Sequence, residues 1–125
     1  MGGRRDCAGP DLVFVTETAL KGFAQYGGTM NVFAVEYTYS SQTSLVRDEH
    51  RPAHRSWLLA QEGEGHVLSA GAYADGTGAL LVLLGESEEA ISELLEQDPF
   101  AIEGGIAGVK ITKWKPVIGA FVDKA

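Results

Sequence analysis

The chain reads as an α+β domain whose elements run strand, helix, strand, strand, helix, strand. Three observations lead there: a β-branched and aromatic run directly after Met30, a hairpin turn around Asp75-Gly76 between two apolar runs, and two segments with recognisable helix starts and stops. This βαββαβ order is the split βαβ signature, a ferredoxin-like four-stranded antiparallel sheet with both helices on one face.

The first strand is expected over Asn31 to Tyr39, where N-V-F-A-V-E-Y-T-Y ends in Ser40 and Ser41. A helix follows. Pro52 is placed in its first turn, Ala53, Trp57 and Ala60 on its buried side, and Glu62-Gly63-Glu64-Gly65 at its stop. His66 to Tyr73 and Ala79 to Leu84 form the second and third strands around the turn A-D-G-T-G. Ser87 caps a second helix with Glu88 and Glu89 in its first turn, Ala90, Ile91, Leu94 and Leu95 as its buried stripe, and Pro99 as its end. Val109 to Lys115 is the last strand, its lysines suited to a sheet edge.

Ala79 to Leu84 is apolar at every position, whereas an antiparallel strand with one wet face alternates. Helices cover one face, so the other is expected to pack against the sheet of an identical subunit, a homodimer through the sheet face. Cover by the N-terminal extension or the C-terminal tail is the competing reading. Residues 1–29 show no sustained period of two or 3.6 and stand as an unassigned extension; 30–116 form the domain and 117–125 a tail.

Composition narrows the function. The 125 residues are 45% hydrophobic with a formal net charge of −7 and only ten Lys and Arg, a balance that excludes a general nucleic-acid binder and disfavours anionic membrane surfaces. Cys7 is the single cysteine, so neither an intrachain disulfide nor a cysteine zinc cage can form. Arg4-Arg5 is not followed by the apolar segment of a twin-arginine signal. Cytoplasmic residence is the expectation.

Chain direction decides which side chains meet. In this topology the start of the first helix (Arg51, His54), the end of the second strand (Tyr73), the hairpin turn (Asp75) and the close of the second helix (Asp98) share one end, with His66 at the other. Imidazole, guanidinium, phenol and carboxylates converging from distant positions are what acid–base chemistry requires. His54 is the candidate base or acid, against a purely structural boundary histidine. Asp98, at a helix C-terminus where a carboxylate opposes the macrodipole, either orients His54 or opens the Asp-Pro turn. Arg51 is a candidate clamp for a substrate carboxylate or phenolate, against a surface ion pair. Tyr73 and Asp75 are more simply a rim residue and a turn residue. His50, His54 and His66 come with no acidic third ligand by spacing, so no metal is implied; the turn glycines are no phosphate cradle, so no nucleotide or other cofactor is implied either.

The blocks R-P-A-H (Arg51 to His54), G-H-V-L-S-A-G (Gly65 to Gly71) and D-P-F (Asp98 to Phe100) resemble the YciI-like, or YCII-related, family over about Met30 to Pro116. The resemblance implies a ferredoxin-like subunit paired as a dimeric α+β barrel, with His54 and Asp98 as a catalytic pair and Arg51 beside them. It also implies a pocket contribution from Ser69 and Gly71, which match the family's [ST]-A-G-P block; this chain has Ala72 where that block has proline. The implied function is a cofactor-independent, lyase- or isomerase-type enzyme acting on a small aromatic or carboxylated molecule. A non-catalytic metabolite-binding module and a structural dimerisation domain are the rivals.

Overall fold

The computed structural model describes residues 30–124; the extension 1–29, with Cys7 and Arg4-Arg5, lies outside the described residues. The strands are β1 (Asn31–Thr38), β2 (Val67–Ala72), β3 (Gly78–Gly85) and β4 (Gly108–Trp114), and the helices α1 (Ser44–Gly63), α2 (Glu88–Leu95) and α3 (Pro99–Ile102). The sheet order is β2-β3-β1-β4 with every pairing antiparallel, the ferredoxin-like arrangement that the element order predicts.

Alternation along the strands sorts residues between two faces. On the helix-covered face, Phe33, Val35 and Tyr37 of β1 meet Ala79, Leu81 and Leu83 of β3, joined by Val67, Ile91 and Leu95. Full burial of such side chains contributes roughly 1.5–3 kcal/mol each. The other face carries Val32, Ala34 and Glu36 beside Leu84, Val82 and Leu80. Val32 and Val82 are buried there, whereas Leu80 is 39% exposed.

The β2–β3 hairpin turns where the sequence places it. Asp75 Oδ1 accepts from Thr77 N and Thr77 Oγ1, and Gly76 holds a φ of +78° that a side chain would resist. Those two hydrogen bonds also lower the Asp75 pKa. Gly78 answers a different need, since a Cβ there would sit 2.0 Å from the Tyr37 backbone oxygen. Gly78→Ala should therefore cost about 2 kcal/mol or more, read as a lower urea midpoint, whereas Gly71→Ala, with open space around its Cβ position, should be close to neutral.

The first helix differs from its expected form. It begins at Ser44, two turns earlier, and Pro52 lies in its interior rather than its first turn. Its buried residues are Arg47, His54 and Gln61, seven apart and all polar, while Ala53 and Ala60 are exposed. Trp57 and Leu58 do pack against the core, but the turns before them are seated by the polar Arg47, so no apolar period reveals where the helix starts. What holds the early turns is Arg47, whose guanidinium donates to Thr43 Oγ1 (2.7 Å), Gly105 O (3.0 Å) and Ser40 O (3.0 Å) and lies over the Tyr39 ring. Those bonds offset the one that Pro52, lacking an N–H, cannot make.

In α2, Ser87 Oγ accepts from Ala90 N, the acidic first turn is present, and Ile91 and Leu95 are buried, but Ala90 is exposed. Pro99 does not end this helix. It ends at Leu95, and Asp98-Pro99 instead start α3. The unfavourable dipole setting expected for Asp98 is thus reversed, because a carboxylate at a helix N-cap is favoured. In the tail, Phe121 packs edge-on against Trp114. Among the described residues, no helix is long and apolar enough to cross a membrane.

Candidate active site

Where β1, the middle of α1 and the start of α3 meet, three chain segments converge on one carboxylate. Asp98 is 0% exposed. Its Oδ2 accepts from the Tyr37 hydroxyl at 2.7 Å, and its Oδ1 is 2.7 Å from His54 Nδ1 and 2.9 Å from Phe100 N. The cap of α3 fixes the carboxylate, β1 supplies the phenol, and α1 carries the imidazole to it. Orientation of His54 and the opening of the Asp-Pro turn, alternatives at the level of sequence, are both present in one side chain.

This bonding sets the imidazole tautomer. The Asp98 carboxyl accepts from the Tyr37 hydroxyl and the Phe100 N–H, and acting as acceptor toward the ring as well it favours the imidazole tautomer with the hydrogen on His54 Nδ1 and the lone pair on Nε2. Phe100 stacks flat on the ring, centroids 3.8 Å apart and planes 1° from parallel, and Tyr39 meets Phe100 edge-on. Imidazole rotation is blocked by the stack on one face and the carboxylate at one edge.

His54 also lines a cleft of about 540 Å³ between α1 and the edge strand β2. Arg51, Arg55, Leu58, Leu59 and Glu62 line it from α1, residues 67–72 from the strand, and Tyr39 and Phe100 close to the imidazole. The volume falls in the range of small-molecule sites. Among the described residues, no three His, Cys, Asp or Glu side chains gather as a metal site would need.

The structure brings together His54, Asp98 and Arg51, with Ser69 and Gly71 along the rim of β2. In register Ser69 and Gly71 pair with Val82 and Leu80, which puts their side-chain positions on the sheet face away from the helices. Tyr73 does not line the cleft; its hydroxyl donates to Glu36 Oε1 at 3.2 Å. Arg51 is bonded to Asp48 at 2.8 Å, so the clamp and ion-pair readings coexist. His66 is held by Gln61 Oε1.

Sequence reasoning missed Tyr37, Phe100 as a stacking partner, Arg47 and Arg55. Tyr37 lies on the inner face of a strand, where a phenol looks like any core aromatic, and only the fold reveals its carboxylate. Burial, and then the Asp98 charge, raise its pKa far above the ordinary range. Tyr39 is raised mainly by burial as well.

A folded-state pKa above the unfolded value means that stability is intact below about pH 10 and falls above it, where the unfolded chain has lost a proton that the native chain keeps. Tyr37→Phe should cost roughly 1.5–3 kcal/mol at neutral pH, because Asp98 Oδ2 loses its donor. It should also flatten the alkaline decline by up to about 1.4 kcal/mol per pH unit. Urea unfolding at pH 9 and pH 11 checks both, and an unchanged slope would contradict the assignment.

A model of the YCII-related domain matches residues 32–115. Among solved structures, the chain is similar to 5-chloro-2-hydroxyhydroquinone dehydrochlorinase (TftG) from Burkholderia phenoliruptrix AC1100, in complex with 2,5-dihydroxybenzoquinone. The two share 22% identity over 67% of this chain and 93% of that chain, with a TM-score of 0.60. A putative antibiotic biosynthesis monooxygenase from Bacteriodes thetaiotaomicron VPI-5482 is 15% identical over 72% of this chain and 91% of that one, TM-score 0.49. The likeness to TftG is a likeness of fold. The comparison with curated proteins gives no match.

Proposed function

Because the chain belongs to the YCII-related domain family, matched over residues 32–115, we propose that it is a cofactor-independent enzyme of lyase or isomerase type. His54 and Asp98 perform acid–base chemistry on a small aromatic or carboxylated molecule. The observation that supports this reading is a histidine whose Nδ1 is bonded to a fully buried carboxylate while the same ring lines an open cleft.

In this mechanism His54 Nε2 takes a proton from the substrate, the imidazolium is stabilised by Asp98 2.7 Å from Nδ1, and the proton is returned to another position of the product in an isomerisation or passed to the departing group in an elimination. Arg51 holds an anionic oxygen, and the wall around Ser69 and Gly71 borders the substrate. The functional unit is a cytoplasmic homodimer packed through the outer sheet face, where Leu80 is exposed. An open cleft of this size is more than a purely structural dimerisation domain requires.

The test begins with binding. Small hydroxylated aromatics and carboxylic acids, with 2,5-dihydroxybenzoquinone as first probe because TftG was solved with it, are screened by thermal shift and then by the His54 ring signals in NMR. Compounds that move the His54 signals are assayed for turnover. Ligands that stabilise the protein without perturbing His54 would remove the basis for the assignment.

A further inference from the structure

We propose that the cleft is sorted by charge along α1 and selects a small monoanion, its anionic group between Arg51 and Arg55 and its neutral end toward Glu62. This rests on the reading of the cleft as a substrate site and names the substrate class that the site admits.

Spacing is the first argument. Arg51, Arg55, Leu58 and Glu62 follow at intervals of four, three and four, so they form one stripe on the helix, and all four line the cleft. The stripe is basic at one end, apolar in the middle and acidic at the other. His54 adjoins the basic end, so the anionic group of a bound ligand lies near the atom that His54 addresses. From Arg55 to Glu62 the helix rises about 10 Å, the length of one substituted ring.

The arginines of α1 divide their duties. Arg47, four residues before Arg51, is buried and spent on Thr43, Gly105 and Ser40. Arg51 is partly neutralised by Asp48. Arg55 is exposed and forms no salt bridge with a described acidic residue. In a chain of net charge −7 the surrounding field repels anions, so an anion gains only where local cations outweigh it, at this end of the cleft. Glu62 then repels a second anionic group at the far end and accepts a hydrogen bond from a neutral hydroxyl there.

Amide NMR titration of the full chain with salicylate, its neutral analogue salicylamide and the two-ended dianion terephthalate tests this. Salicylate should perturb His54 and Phe100 and bind more tightly than salicylamide. Arg55→Gln should weaken salicylate by about tenfold, the loss of one charge-assisted contact, and leave salicylamide unchanged. Terephthalate should bind less well than salicylate and improve several-fold in Glu62→Gln. The proposal is overturned if salicylate leaves the cleft signals unmoved, if acid and amide bind alike, or if Arg55→Gln has no effect. If salicylate and salicylamide bind alike while both move the His54 signals, the charge selection fails and the acid–base reading stands, so the two failures are told apart.

Discussion

Asp98→Ala should lower the unfolding free energy by roughly 3–5 kcal/mol, the largest loss from any one truncation near the site. The buried carboxylate is the common acceptor for the Tyr37 hydroxyl, His54 Nδ1 and Phe100 N, and alanine leaves each without that partner in a space closed to water. The cap of α3 goes with it, and with the cap the seat of Phe100 against the imidazole. Urea denaturation with tryptophan fluorescence measures this directly; a loss below about 1 kcal/mol would show that the three donors find other acceptors.

Asp98→Asn separates charge from geometry. The Phe100 N–H cannot turn away, so the amide oxygen must take the Oδ1 position, where it still accepts from His54 Nδ1. The amide NH₂ then faces Tyr37, whose hydroxyl can rotate to receive it. This variant should keep the fold and the tautomer while losing the charge that stabilises an imidazolium.

The second large effect concerns chemistry. On any compound the protein turns over, His54→Gln should reduce kcat by about 10²–10⁴-fold, the usual contribution of a positioned acid–base group, with a small change in KM. Glutamine cannot accept and return a proton, and losing the stack on Phe100 costs about 0.5–1.5 kcal/mol, too little to unfold the domain. Undiminished turnover in this variant would remove His54 from the mechanism. Tight binding with no turnover across the panel, in wild type and variant alike, would identify a metabolite-binding module.

The fold was legible because each strand announces itself in composition and each turn in chemistry, and the Asp75-Gly76 hairpin fixes the order of the rest. Chain direction together with the R-P-A-H and D-P-F blocks points His54 toward Asp98, and the two side chains meet. They do so with His54 in the middle of α1 and Asp98 opening α3, rather than at the helix start and helix close expected from the sequence. The start of α1 was not legible, since Arg47, His54 and Gln61 are chosen for hydrogen bonds and leave no apolar rhythm. Tyr37 was hidden for the opposite reason, in that its position fits the core pattern and its hydroxyl duty lies 61 residues away in sequence. Tyr73 showed the limit of reasoning from ends alone, because sharing a pole with His54 did not put it on the same side of the sheet.

Helix α1 keeps its anchors and its cleft-facing side chains largely apart. Arg47 and Gln61 point to backbone and side-chain partners, while Arg55, Leu59 and Glu62 face the opening. Directional bonds do not tolerate the one-turn slippage that greasy contacts allow, so the rail stays put while its outward fittings are exchanged. A lineage built on this frame can alter what it recognises through a few surface replacements, with His54 and its carboxylate undisturbed.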